Sequence, residues 1–76
     1  MRYKVGDKVK VREWDDMVEE FGTDEDGDID CNFCFVKDMK EYCGKEMTVS
    51  RVFTSYYVLE EDEGEFAWTD DMLFKL

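Results

Sequence analysis

Residues 8–12, Lys-Val-Lys-Val-Arg, alternate strictly, with Val9 and Val11 on one face and three cations on the other. A period of two predicts a half-buried strand, which Val5 extends across a kink at Gly6-Asp7. The period then changes. Trp14, Met17, Val18 and Phe21 recur at helical spacing and form the apolar face of a short helix over 14–21, with Trp14 and Phe21 turned inward. Gly22 follows as its C-cap. Residues 23–30, Thr-Asp-Glu-Asp-Gly-Asp-Ile-Asp, are too polar for a core element and read as a surface loop. Residues 31–36, Cys-Asn-Phe-Cys-Phe-Val, are apolar and return to the core. Val36, Met39 and Tyr42 then face inward from a helical turn that Cys43-Gly44 ends.

The second half reads as β structure. Met47, Val49, Arg51 and Phe53 alternate with Thr48, Ser50 and Val52, and Thr54-Ser55 makes a short turn. Tyr56 to Glu60 forms the next strand, rich in aromatic and β-branched types. Glu61-Asp62-Glu63-Gly64 is a hairpin turn. Glu65 to Thr69 is a further strand, Asp70 to Met72 suits a single 3-10 turn, and Leu73 to Leu76 a closing strand. This order predicts a mainly β fold, a small SH3-like barrel of about five strands. It carries a short helical insertion after the first strand and a 3-10 turn before the last. Val9, Val11, Met47, Val49, Leu59, Trp68, Met72 and Leu73 are its expected core. Residues 1–76 read as a single domain with an acidic helix-loop excursion at 13–35.

A second line comes from motifs. Phe35, Val36 and Met39 lead into Tyr42, Gly44 and Lys45, then the Thr48-Val49 strand. Tyr57 and Leu59, the Gly64 turn, and Trp68-Thr69-Asp70 with Met72 follow. The opening Val5-Gly6-Asp7-Lys8-Val9 precedes them. In these pieces the chain resembles a family of small uncharacterised SH3-like proteins of Gram-positive bacteria and their phages. The resemblance implies the fold and a bacterial or phage origin, and it implies no activity. The acidic stretch at 13–30 lies outside it.

Composition narrows the function classes. The 76 residues carry 21 acids, 10 Lys or Arg and no His, for a formal charge of −11. Without His there is no Ser-His-Asp triad, no Cys-His pair and no imidazole metal ligand. The charge is segregated: residues 13–30 hold ten acids and no base, and residues 60–71 hold seven acids and no base. Direct nucleic-acid binding is disfavoured, because phosphate recognition needs cations. No apolar run has the length of a membrane span, and Met-Arg-Tyr-Lys-Val lacks the apolar core of a signal peptide. Cytoplasmic location is therefore expected. So is a reduced state for Cys31, Cys34 and Cys43, an odd set of thiols. Cys31-Asn32-Phe33-Cys34 has C-x-x-C spacing, but upstream acids oppose an activated thiolate there.

The sharpest chemical candidate is the loop at 22–33. With Gly27 in the sixth position of an EF-hand loop, Asp24 takes the third, Asp26 the fifth and Asp30 the ninth. Gly22 and Phe33 occupy the first and twelfth, so the first ligand and the bidentate Glu are missing. Asp24, Asp26, Asp28 and Asp30 are the candidate ligands of a weak Ca²⁺ site. Adjacent carboxylates elsewhere, such as Glu19-Glu20 and Asp70-Asp71, follow from composition and nothing in the sequence buries them, so no acid–base pair is assigned. No phosphate-binding glycine motif occurs. No enzyme activity and no cofactor are expected.

The favoured reading is a monomeric, non-catalytic protein-binding module that engages a basic protein partner through acidic surface. Its expected contact residues are Tyr56, Glu60, Glu61, Asp62, Asp15 and Asp16. Two other readings are the Ca²⁺-binding protein and a phage-encoded DNA mimic, whose acids imitate phosphates to occupy a host protein.

Overall fold

The computed structural model describes residues 2–31 and 33–76. Strand β1 (Lys8–Val11) leads into helix α1 (Trp14–Phe21), and a 3-10 helix (Lys37–Tyr42) precedes β2 (Glu46–Val52). β3 (Tyr57–Leu59), a 3-10 turn (Asp70–Met72) and β4 (Leu73–Lys75) complete the chain. The four strands form one antiparallel sheet in the order β3-β2-β1-β4. β1 is central because its alternating Val9 and Val11 are wholly buried, and it pairs Val9 with Met47 on one side and with Lys75 on the other. Among the described residues, no helix is long and apolar enough to cross a membrane.

The mainly β class, the helix after the first strand and the 3-10 turn before the last match the sequence reading. The strand expected at 65–69 does not form. It contracts to a single bridge between Trp68 and Tyr57, with N···O distances of 2.7 and 3.1 Å. The cause is Asp62, whose carboxylate accepts from Gly64 N at 3.1 Å, Phe66 N at 3.0 Å and the Trp68 indole Nε1 at 2.9 Å. Backbone donors that a ladder would use are spent on a side chain. Hydrogen bonding leaves the sheet open, with β3 and β4 as its edges and the Asp70–Met72 turn crossing between them.

All eight expected core residues are buried. Tyr3, Met17, Ile29, Phe35, Met39 and Tyr57 join them in one cluster. On α1 the fully buried side chain is Met17, flanked by half-buried Trp14 and Phe21. The 23–30 loop is polar at its surface but anchored by Ile29, which is 0 % exposed. Ile29 bridges Thr23 on one side and Phe35 on the other, so a residue embedded among acids belongs to the core. Trp68 packs against the rings of Phe35, Tyr42 and Phe66 at centroid distances of 5.9–6.2 Å.

Two polar joints tie the ends of the chain to this core. The Tyr57 hydroxyl donates to Asp70 Oδ1 and accepts from Tyr3 N at 2.9 Å. Arg12, at the exit of β1, donates to Asp16 and Glu20 of α1 and to the Asp71 carbonyl at 2.9 Å. Its guanidinium also lies over the rings of Phe21 and Phe74.

Leu59→Ala is expected to cost about 2–5 kcal/mol by removing buried methyl groups. Asp62→Ala should cost about 1–3 kcal/mol, since it strands the buried Trp68 indole N–H and removes the acceptor of two part-buried backbone donors. Asp62→Asn should fall between, because its amide keeps an acceptor but sets an NH₂ against a former donor. Urea unfolding followed by Trp fluorescence reads all three; parent-like stability in Leu59→Ala would refute the core assignment.

Candidate functional site

The turn joining β2 to β3 brings Tyr56 to the surface in company. Phe53 N donates to Tyr56 O at 2.9 Å and closes the turn over Thr54 and Ser55. The Phe53 and Tyr56 rings stack at 4.9 Å between centroids, 25° from parallel. Phe33 adds a third ring, 5.7 Å from Tyr56. Phe33 and Phe53 are 36 % and 40 % exposed, and Tyr56 between them is half-buried. Water therefore touches an aromatic step built from two segments far apart in sequence.

Each half of the step has a local cause. A register shift between Val49 and Arg51 interrupts the β2–β3 ladder. An extra residue in one strand ends the alternation, so Arg51, Val52 and Phe53 all run out to solvent instead of continuing the buried row of Met47 and Val49. Phe33 is pushed outward because Ile29 and Phe35 exchange backbone hydrogen bonds at 3.0 and 3.1 Å and pinch off the residues between them. Asn32, within the C-x-x-C spacing, lies outside the described residues.

Beside the step opens a cleft lined by Arg2, Phe33, Thr54, Ser55, Thr69, Asp70 and Asp71. Thr69 is 4 % exposed and its Oγ1 has no hydrogen-bond partner. It precedes the 3-10 turn at the N-cap position yet makes no capping bond. A buried hydroxyl left unpaired costs about 1–3 kcal/mol. Asp70 at the same cleft is fixed through Oδ1 by the Tyr57 hydroxyl and by Arg2 N at 3.4 Å.

The acidic residues expected to meet a partner divide into separate roles. Glu60 and Asp15 are exposed. Asp16 is exposed but paired with Arg12 at 2.8 Å. Glu61 accepts from Thr48 N at 2.7 Å and Thr48 Oγ1 at 3.0 Å, just past the point where β3 ends at Leu59. Asp62 is 4 % exposed and wholly engaged inside its own turn, which removes it from any contact surface.

In the 22–33 loop, carboxylate oxygens of Asp24, Asp26 and Asp28 lie within 4.8 Å of one another, and Asp30 is not among them. Asp24 Oδ1 already accepts from Asp26 N at 2.9 Å and Asp28 N at 3.0 Å, an Asx-type turn, while Asp28 Oδ1 accepts from Lys37 N at 3.1 Å. The Lys37 ammonium stem lies against Gly27. Phe33, at the twelfth position of the EF-hand pattern, belongs to the aromatic step.

The thiols are free. Burial, assisted by the nearby Asp71 charge, pushes the Cys31 thiol up to about 11, and its Sγ donates to Phe33 O at 2.8 Å. Burial also pushes Cys43 up. Neither has the electropositive, accessible surroundings of a reactive cysteine.

Comparison with protein-family models, curated proteins and solved structures finds no match to this chain.

Iodoacetamide at neutral pH should alkylate exposed Cys34 first. Cys31 should lag by roughly two orders of magnitude, following its smaller thiolate fraction. Peptide mapping after timed quenching gives the order, and modification of Cys31 at the pace of Cys34 would contradict its burial.

Proposed function

We propose that the chain is a non-catalytic protein-binding module with an SH3-like barrel architecture, acting as a monomer in the cytoplasm of a bacterium or a phage-infected cell. It engages a basic protein partner through the aromatic step of Phe33, Tyr56 and Phe53 and the acidic surface around it. The observation that carries this reading is the step itself: three contiguous rings left at the surface of a chain with a net charge of −11. Exposed aromatics are the usual anchors of protein interfaces, and a negative net charge speeds encounter with a positive partner. The architecture is supported by a first strand that pairs with both β2 and the last strand, and by the 3-10 turn entering that last strand.

A second reading, weak Ca²⁺ binding at 22–33, is favoured by the convergence of Asp24, Asp26 and Asp28. Saturable amide shifts confined to that loop on adding Ca²⁺, abolished by Asp24→Asn with Asp26→Asn, would carry it. Small unsaturable shifts over all acidic residues would dismiss it.

The main reading is tested by capture from a bacterial extract with the tagged chain and its Tyr56→Ala variant. The captured complex should weaken steeply between about 0.1 and 0.5 M salt. Tyr56→Ala should reduce capture by about tenfold while its unfolding midpoint stays near that of the parent. Salt-insensitive capture, or capture indifferent to Tyr56, would refute it.

A further inference from the structure

We infer that Cys31 and Cys34 form a reversible disulfide by exchange with a low-molecular-weight disulfide such as oxidised glutathione, and that this bond takes Phe33 out of the aromatic step. The inference rests on the binding-module reading and names how that site is regulated. Two observations meet in one segment. The first is the nearness of the thiols. Cys31 Sγ donates to Phe33 O at 2.8 Å. That oxygen belongs to the peptide joining Phe33 to Cys34, where standard bond lengths put it about 3 Å from Cys34 Cα. Cys31 Sγ is therefore no more than about 6 Å from Cys34 Cα, a gap that rotation of the Cys34 side chain closes to a sulfur–sulfur bond.

The second observation is what lies between the two sulfurs. Phe33 belongs to the covalent ring that the bond closes, and its side chain is the one that meets Tyr56 at 5.7 Å. The flanks of the segment are held. Ile29 and Phe35 are wholly buried and exchange backbone hydrogen bonds, and Cys31 N donates to Ile29 O at 3.1 Å. Shortening the segment therefore falls on the chain between the sulfurs, where Phe33 supplies the ring. Oxidation also removes the S–H that holds the Phe33 carbonyl.

The exchange balances with that one co-reactant. Cys34 is exposed, so its thiolate attacks one sulfur of oxidised glutathione and expels a glutathione thiolate. Cys31 then loses its proton, attacks Cys34 Sγ and expels the second glutathione thiolate. Two thiols become one disulfide, one glutathione disulfide becomes two glutathiones, and the two protons released pass to the two expelled thiolates. Burial and the nearby Asp71 charge disfavour the Cys31 thiolate. That slows the second step, and the nearness of Cys34 offsets it. The same surroundings favour the bond once made, because its reduction yields no stabilised thiolate.

The test incubates the full chain at neutral pH with oxidised and reduced glutathione in set ratios, quenches it with iodoacetamide and weighs it by mass spectrometry. The oxidised chain should lose two hydrogen atoms and take up iodoacetamide at Cys43 alone. No disulfide in oxidised glutathione, a lasting glutathione adduct on Cys34, or a bridge to Cys43 would each overturn the inference. Nuclear Overhauser contacts between the Phe33 and Tyr56 rings should vanish on oxidation, while those between Phe53 and Tyr56 persist. Their survival would overturn it too. Cys34→Ser changes an exposed side chain, so it should melt with the parent and keep the Phe33–Tyr56 contact in oxidised glutathione; loss of the contact there would sink the assignment. Oxidation should cut capture from dialysed bacterial extract by about tenfold in the parent and leave Cys34→Ser unaffected. If the reduced chain shows salt-sensitive, Tyr56-dependent capture that oxidation does not change, the switch falls and the module stands. If the disulfide forms and the ring contact breaks while the reduced chain captures nothing, the module falls and the thiol chemistry stands.

Discussion

A buried indole N–H must find an acceptor, and in this chain Asp62 supplies it. Trp68 is wholly buried, so its nitrogen has no access to water. The carboxylate that meets it also gathers two backbone donors of the same turn. One side chain thus satisfies the core tryptophan, shapes the 60–64 turn and decides that the following segment touches β3 at one bridge only. Phe35, Tyr42 and Phe66 then pack on the ring that this bond holds in place. The excursion between β1 and β2 depends on it too, since Phe35 and Tyr42 are among its attachments to the core.

The same economy runs through the other acids. Asp16 and Glu20 hold Arg12, which clasps helix α1 to the end of the sheet. Glu61 takes up the Thr48 N–H that lies past the end of β3. Asp24 caps backbone N–H groups of its loop, Asp28 caps the first N–H of the following 3-10 helix, and Asp70 fastens Tyr57. A net charge of −11 is therefore not a uniform solvated face. Much of it is spent on backbone and side-chain donors in a chain whose core is small, where each paired donor matters more. What remains free to act on a partner at long range is the exposed remainder, including Asp15 and Glu60.

Against that accounting, the aromatic step and the Thr69 hydroxyl stand out because the fold does not use them up. Three rings could gain from burial and are left partly wet; one hydroxyl is buried and gains nothing. They adjoin one another through Phe33.

Periodicity was enough to determine the elements whose burial is local. Alternation at 8–12 and 47–49, helical spacing at 14–21 and the polar turn before Met72 each translate into structure because neighbouring residues share one environment. The core list was legible for the same reason. The exceptions are residues whose fate depends on distant partners. Ile29 sits among acids and is buried only because Thr23 and Phe35 flank it in space. Asp62 looks like any turn acid until Trp68 is brought over it. Phe53 keeps the phase of Met47 and Val49 in sequence, but the ladder shifts register before reaching it. Phe33 and Tyr56 are 23 residues apart in numbering and meet only across the fold. Sequence alone determined the class of fold, the helix and the acidic character; tertiary structure decided which acids are structural and where the surface rings gather. The physical reason is that alternation and helical spacing report a residue's own face, whereas hydrogen-bond pairing and ring contacts are properties of two segments at once.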